Sequence, residues 1–240
     1  MPESNQNMTA SHAAHYNALK LDHLVVAAET LDAGEAHVIE QLGLTDVVPQ
    51  RGGKHTRMGT HNSLLGLWGG VYLEIIAIDP DAPAPERARW FGLDDEAVRT
   101  RLARGPYLAH WVARVERPRS LPRWQSQYPQ RLAPVIAMQR GALTWQIGVP
   151  DDGSLPSWQG AGQGLLPTLI QWDTPQHPAD ALPETGCAVT LLRGFHPQAT
   201  AIADQLAWLG AEGLVNVEAT LVEPTLVAEF ETPNGPRSLR

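Results

Sequence analysis

The chain has 240 residues, of which 43% are hydrophobic and 18% charged, so it can bury a large apolar core and is too apolar to stay disordered. Its net charge of -8 argues against a nucleic-acid backbone or an anionic membrane as the main partner. The single cysteine, Cys187, excludes an internal disulfide and any metal or redox motif built on paired cysteines.

The start of the chain has no apolar segment of the kind found in signal peptides. No uninterrupted apolar run approaches the roughly 18 residues that cross a bilayer. We therefore expect a flexible tail over residues 1–19, no membrane association and, by default, a cytoplasmic location.

The first structured unit, residues 20–105, has the pattern of a strand, a helix and a β-hairpin. A short apolar run that contains His23 predicts a strand buried on both faces. The helix is expected to begin at an N-cap at Asp32 and to end at Gly43. Two further strands are joined by the turn Gly69-Gly70, and they cover Thr60–Trp68 and Val71–Ile78.

The same order of elements recurs over residues 106–180, where an interior strand carries His110. A short helix is expected around residues 119–128, although its prolines weaken the pattern. Two more strands are predicted at Leu143–Val149 and Leu165–Trp172, with a longer loop in place of the glycine turn.

A third copy is predicted over residues 181–240. An apolar strand begins at Cys187, and Pro197 opens a helix that ends at Gly210. The turn Asn234-Gly235 then joins two short strands before the sequence stops. The third unit is therefore expected to be a truncated βαββ copy without chemistry of its own.

Five short motifs follow one another along the chain. They are Gly52-Gly53-Lys54-His55, Gly59-Thr60-His61-Asn62, Tyr72-Leu73-Glu74-Ile75-Ile76, Leu166–Trp172 and His177-Pro178. In this order they resemble the glyoxalase-like domain proteins of the vicinal oxygen chelate superfamily, over residues 20–240. The resemblance implies an α+β fold in which paired βαβββ modules form a partly closed mixed sheet around a cleft. In that superfamily a divalent metal is often held by the first and last strands of each module.

The superfamily pattern, carried onto this sequence, implies four metal ligands. They are His23 and Glu74 in the first module and His110 and Gln171 in the second, and zinc, manganese, nickel or iron would suit them. Gln171 is a weaker ligand than a carboxylate, and Asp173 is an alternative because it faces the same side of the strand. Both histidines could instead be buried residues that bind backbone carbonyls.

Other polar side chains near the expected cleft are candidates for catalysis and substrate contact. Glu74 lies in an apolar strand where an unpaired carboxylate would be costly to bury, so we expect it and His55 to move a proton. His61, Asn62 and Trp172 are expected to contact the substrate. The alternative is that the loop residues are solvated and the tryptophan fills the core.

The leading hypothesis is a metal-dependent enzyme that acts on a small, oxygen-rich molecule by lyase, isomerase or dioxygenase chemistry. The alternative is a metal-free protein that binds or sequesters a small molecule. The sequence carries no GxSxG, HExxH or Walker motif, which counts against hydrolase and nucleotide-binding functions. A homodimer is left open.

Overall fold

The structure is a computed structural model that describes residues 19–240, so almost all of the predicted tail lies outside the described residues. The described residues form strands β1 (Lys20–Ala27), β2 (Gln50–His55), β3 (Thr60–Leu67), β4 (Val71–Ile78), β5 (Tyr107–Arg114), β6 (Val135–Arg140), β7 (Leu143–Gly148), β8 (Thr168–Trp172), β9 (Ala188–His196), β10 (Asn216–Ala219), β11 (Thr225–Glu231) and β12 (Arg237–Leu239). The α-helices are α1 (Leu31–Leu42), α2 (Glu96–Leu102), α3 (Leu121–Gln127) and α4 (Ala199–Leu209).

Eight strands form one mixed sheet in the order β2-β3-β4-β1-β5-β8-β7-β6. Strands β1 and β5 pair antiparallel at its centre, and each is followed on its outer side by a parallel partner, β4 or β8. The two halves therefore repeat the same order outward from the centre. This arrangement confirms the α+β fold of paired βαβββ modules.

The central strands alternate between two apolar clusters, as expected of strands buried on both faces. Leu24 and Val26 of β1 pack on one side of the sheet with Val38 and Leu42 of α1. Val25 packs on the other side, in the cluster that lines the interior of the curved sheet. Glycine ends α1 as expected, since Gly43 has φ 63° and the left-handed conformation that glycine adopts easily.

The two ends of the sheet order, β2 and β6, approach each other and nearly close the curve. Arg57 Nη1, just after β2, donates a hydrogen bond of 2.8 Å to the carbonyl of Ala137 in β6. Arg140, at the end of β6, reaches across to Asn62 at 3.1 Å. We call this contact between β2 and β6 the seam, and it brings residues of both modules around one cleft.

The remaining four strands form a second sheet in the order β10-β9-β11-β12. The sequence predicts a truncated βαββ copy here, but the structure contains one more strand, β10, which pairs parallel with β9. The strand order also differs from that of the modules. Strand β10 was missed because its sequence, NVEA, is short, mostly exposed and without an apolar pattern.

Other details also differ from the sequence predictions. The N-cap of α1 is Thr30, whose hydroxyl accepts from the backbone N–H of Ala33, and Asp32 lies two residues later in the first turn. Strands β2 and β6 were not predicted from the residue pattern.

Among residues 19–240, no helix has the length and apolar content needed to cross a membrane. The cytoplasmic location stays a prediction.

Candidate active site

A β-bulge in β1 places two ionisable residues side by side. Opposite β5, Leu21 pairs with Ala113 and His23 with Val112, so Asp22 is an extra residue in the ladder. Asp22 Oδ1 lies 2.7 Å from His23 Nδ1. Neighbouring side chains of a regular strand point to opposite faces, and the bulge lets these two interact.

Asp22 is completely buried and fixes three side chains. Besides His23, it accepts hydrogen bonds from Trp172 Nε1 at 3.0 Å and His177 Nε2 at 3.1 Å. Burial alone would raise the pKa of the Asp22 carboxyl, but the bonds from His177 and His23 and their charges hold it well below its usual range. Asp22 is therefore an ionised group that orients the His23 ring.

His23 lies between two carboxylates. Its Nε2 is 3.6 Å from Glu74 Oε2, on the side of the ring opposite Asp22. Burial would lower the pKa of His23, but hydrogen bonds and charge from Asp22 and Glu74 raise it to about 9. The ring also stacks on Tyr72, with centroids 4.5 Å apart. At neutral pH His23 is thus an imidazolium with an N–H directed at Glu74.

Glu74 is held from its other oxygen by an amide. Asn62 Nδ2 donates to Glu74 Oε1 at 2.6 Å. Burial would raise the pKa of the Glu74 carboxyl, but the bond and charge of His23, with smaller effects of His55 and Asn62, lower it to about 2. The carboxylate is therefore ionised in the free protein.

The Asn62 side chain is fully used as donor and acceptor. Its Oδ1 accepts from the Gly53 N–H at 3.0 Å and from Arg140 Nη1 at 3.1 Å, and its Nδ2 also lies 3.5 Å from His55 Nε2. A Cβ atom on Gly52 would lie 2.3 Å from Asn62 Oδ1. The first glycine of the motif, Gly52, is thus required by the close approach of this amide.

His55 is buried beside Asn62 but in the opposite charge state to His23. Its Nδ1 lies 3.1 Å from Thr60 Oγ1, and its ring meets Trp90 edge to face at 4.9 Å. Burial lowers the pKa of His55 to about 4, and the charge of Arg140 contributes. His55 is therefore neutral, with Nε2 as the hydrogen-bond acceptor.

These polar groups form the floor of a cleft with aromatic walls. Trp90 and Phe91 stack at 5.6 Å, and Trp145 and Trp172 lie 5.4 Å apart. Phe91 has a φ of 60°, a left-handed conformation that is strained for a phenylalanine. Trp172 lines this cleft, and its indole N–H is committed to the buried carboxylate of Asp22, while its contact with a substrate stays a prediction.

His110 is not part of this group. Its Nε2 accepts from the Thr168 backbone N–H at 3.0 Å, and its Nδ1 lies 3.2 Å from the carbonyl of Gly164. Burial lowers the pKa of His110 to about 3, so the ring is neutral. Both nitrogens are engaged, which leaves no lone pair for a metal and matches the alternative of a buried structural histidine.

Gln171 points away from the cleft. Its neighbours on β8, Ile170 and Trp172, line the cleft, so the intervening side chain lies on the opposite face of the strand. There Gln171 Oε1 accepts from the Leu121 N–H at 2.9 Å, and Nε2 donates to the carbonyl of Arg119 at 2.6 Å. The amide supports the start of α3 instead of a metal.

The two remaining candidates also lie outside the cleft. Asp173 is exposed at the end of β8, where it accepts from Gln146 Nε2 at 3.0 Å. His61 is half-buried and pairs with Lys54 of β2, on the face of β3 opposite to Asn62. The structure therefore brings together His23, Glu74, Asn62, His55 and Trp172, but not His61, His110, Gln171 or Asp173.

The donors in the cleft do not fit the four-ligand metal centre that the resemblance implies. Of the four side chains, only His23 and Glu74 face each other. Among residues 19–240, no group of three His, Cys, Asp or Glu side chains is placed to hold a metal ion. The next polar group along the floor, Asn62, already binds the cationic Arg140. No chemical step is therefore assigned to a metal here.

Asp22 and Arg140 are functional candidates that the sequence predictions missed. Asp22 carried a signal, because a carboxylate inside the apolar run LDHLVVA must be paired if it is buried. Arg140 carried none, since only the seam brings β6 next to β2.

The fold and the cleft define the class of protein. Residues 21–210 match the sequence model of the family described as glyoxalase-like domain, which covers most of the chain. The protein belongs to this family, and its fold is that of the vicinal oxygen chelate superfamily.

Solved structures resemble this chain at low sequence identity. A hypothetical protein from Staphylococcus aureus is 15% identical, with a TM-score of 0.56, and the match covers 85% of this chain and 87% of that one. Methylmalonyl-CoA epimerase from Mycobacterium tuberculosis is 16% identical, with a TM-score of 0.39 over 64% of this chain and 86% of that one. A search of curated proteins gives no significant match.

Proposed function

We propose that the chain is an enzyme that moves a proton at a carbon atom next to a carbonyl group of a small substrate, as in an isomerase or lyase step. The observation that carries the proposal is the contact between His23 and Glu74, 3.6 Å apart in an aromatic cleft. Their environments raise one pKa and lower the other. Such a separation is typical of acid and base partners in catalysis.

In this mechanism Glu74 is the base and His23 the electrophile. The substrate carbonyl oxygen accepts a hydrogen bond from His23 Nε2–H, and Glu74 accepts the proton from the adjacent carbon. Negative charge then develops on the carbonyl oxygen, where the imidazolium stabilises it. Return of the proton to the same carbon or a neighbouring atom completes the reaction and restores the carboxylate.

Substrate binding would also make Glu74 a stronger base. In the free protein His23 is the main group that keeps the pKa of Glu74 low. Once His23 Nε2–H donates to the substrate carbonyl oxygen, Glu74 loses that stabilisation and the pKa of the Glu74 carboxyl rises. Asp22 keeps the ring oriented and charged throughout. His55 is neutral and its Nε2 faces Arg140 Nη1 and Asn62 Nδ2, so it helps to position these two side chains.

Two other functions differ from this one in testable ways. The metal-dependent enzyme expected from the sequence would need ligands beyond His23 and Glu74. A metal-free protein that only binds or sequesters a small molecule is favoured by the aromatic rings around the cleft. Each of these two alternatives predicts a different result from the proposed function when proton exchange is measured.

The test is deuterium exchange from D₂O into small 2-oxo acids, 3-oxo acids and 2-hydroxy ketones, followed by proton NMR. We expect at least one class to exchange faster with the wild-type protein. Glu74→Gln should slow that exchange by about 100-fold or more, because the amide cannot accept the proton. Glu212→Gln, at an exposed site, is the matched control and should have no effect.

The same samples are run with and without a chelator, and their metal content is measured. Activity that survives chelation supports the proposal. The proposal is overturned if the protein binds one divalent ion stoichiometrically, if His23→Ala loses that ion, and if proton exchange requires it. Tight binding of carbonyl compounds without any exchange would instead establish the sequestration function.

A further inference from the structure

Arg140 supplies the cleft with a positive charge that no carboxylate of the described residues neutralises. Its polar contacts in the cleft are Asn62 Oδ1 at 3.1 Å and His55 Nε2 at 3.4 Å. Asn62 carries no charge, and His55 is neutral at physiological pH. Arg51 and Arg89, by contrast, each form an ion pair with a carboxylate. An arginine that lines a cleft without a counter-ion is suited to an anionic ligand.

The guanidinium is held in one orientation. Its stem packs on Gly53 across the seam, where a Cβ atom would lie 3.0 Å from Arg140 Cδ. Both protein contacts use Nη1. The edge formed by Nε and Nη2 therefore remains for a ligand, and two parallel N–H donors on one edge match the two oxygens of a carboxylate.

The order of the polar groups along the floor constrains where that carboxylate lies in the substrate. Arg140 binds Asn62, Asn62 binds Glu74 at 2.6 Å, and Glu74 faces His23 at 3.6 Å. The base thus lies between the guanidinium and the imidazolium. A substrate that uses all three must carry its reacting carbon between a carboxylate and a carbonyl group.

The walls define the rest of the molecule. The indoles of Trp145 and Trp172 and the rings of Trp90 and Phe91 line the same cleft. Flat apolar surfaces of this kind favour a planar, apolar group by stacking and burial. The group attached to the carbonyl carbon would occupy this space.

We infer that Arg140 binds the substrate carboxylate, and that the substrate is a 3-oxo carboxylate with a planar apolar group on its carbonyl carbon. This inference rests on the proposed function, because it takes Glu74 as the base. The base removes a proton from the carbon between the two groups, and the resulting enolate keeps its charge next to His23. No other reactant is needed.

The test measures binding in the Glu74→Gln background, where no proton is removed. The probes are benzoylacetate, its ethyl ester and acetophenone, titrated by calorimetry. We expect benzoylacetate to bind about 100-fold more tightly than the ester. In Arg140→Met this preference should vanish, while the affinities for the ester and acetophenone stay unchanged and so report an intact cleft.

Two further variants separate the geometry of the guanidinium from its charge. Arg140→Lys keeps a charge but loses the fork, so we expect about a tenfold loss of benzoylacetate affinity. Arg57→Met removes the other arginine of the seam, which is exposed and bound to a backbone carbonyl, and should leave affinity unchanged. The inference is overturned if benzoylacetate does not bind, if acid and ester bind equally, or if Arg140→Met keeps the preference.

Failure of the two proposals can be told apart. Loss of acid binding in Arg140→Met, together with no deuterium exchange by the wild type, would leave the carboxylate site and reject the proton-transfer function. Deuterium exchange that depends on Glu74 but is equally fast for acid and ester would instead support the proton-transfer function and reject the carboxylate site at Arg140.

Discussion

At the scale of single residues, the buried histidines are held in opposite charge states. His23 has a pKa raised to about 9, whereas burial lowers the pKa values of His55 and His110 to about 4 and about 3. Each shift links folding to pH. Above pH 6.5 the folded state holds a proton on His23 that the unfolded chain releases, so stability falls up to about pH 9. Below pH 6.5 His55 and His110 gain protons in the unfolded chain but stay neutral in the folded protein, so the stability also falls as the pH is lowered.

We therefore expect the free energy of unfolding to be greatest near pH 6.5. The loss contributed by His23 between pH 6.5 and about pH 9 should be on the order of 3 kcal/mol. Urea unfolding across this range measures it. Asp22→Asn removes the strongest partner of His23 and should flatten the alkaline side of the profile. A wild-type profile that is flat from pH 6.5 to about pH 9 would contradict the charge state assigned to His23.

The sequence identified part of this site, for a physical reason that can be traced to strand facing. His23 and Glu74 were predictable because polar groups in apolar strands must be paired. The facing of Gln171 was not, because a shift of one residue along a strand exchanges its two faces, and motif spacing does not determine that register. Arg140 depends on closure of the seam, which is set by the curvature of the whole sheet.

At the scale of elements, β2 is shaped to accommodate the Asn62 amide. The β2–β3 ladder shifts register between Arg51 and Gly53, which places the intervening glycine against the amide oxygen. We expect Gly52→Ala to displace Asn62 and lower the stability by about 1–3 kcal/mol, with loss of proton exchange. Gly53→Ala is the matched control. Its Cβ would meet only the flexible stem of Arg140 at 3.0 Å, so the effect should be smaller. Equal effects in thermal unfolding would argue against this packing.

The elements that the sequence predicted are those with local signals. The Gly69-Gly70 hairpin and the end of α1 at Gly43 depend on residues that adopt positive φ, and both are confirmed. Strand β2, with sequence QRGGKH, has no apolar periodicity because it lies at the edge of the sheet and is mostly exposed. Its strand conformation comes from pairing with β3, and no local sequence pattern predicts that contact.

At the scale of the whole molecule, the C-terminal sheet is part of the same core as the modules. Phe230 of β11 and Leu209 of α4 belong to the apolar cluster that also contains Leu24 of β1. Backbone hydrogen bonds join the units as well, from Leu19 N–H to the Gly210 carbonyl at 2.9 Å and from Leu108 N–H to the Arg240 carbonyl at 3.2 Å. The three units are therefore expected to unfold together.

Phe230→Ala tests this cooperativity. The side chain is 1% exposed, and its removal should lower the free energy of unfolding by about 3–5 kcal/mol through lost burial and the remaining cavity. If the molecule is one cooperative unit, backbone amides of β1 and β11 that exchange only by global unfolding will exchange faster by the same factor, as mass spectrometry can measure. Faster exchange confined to β9–β12, with β1 unchanged, would show that the C-terminal sheet unfolds on its own. The cleft would then not depend on the C-terminal sheet for its stability.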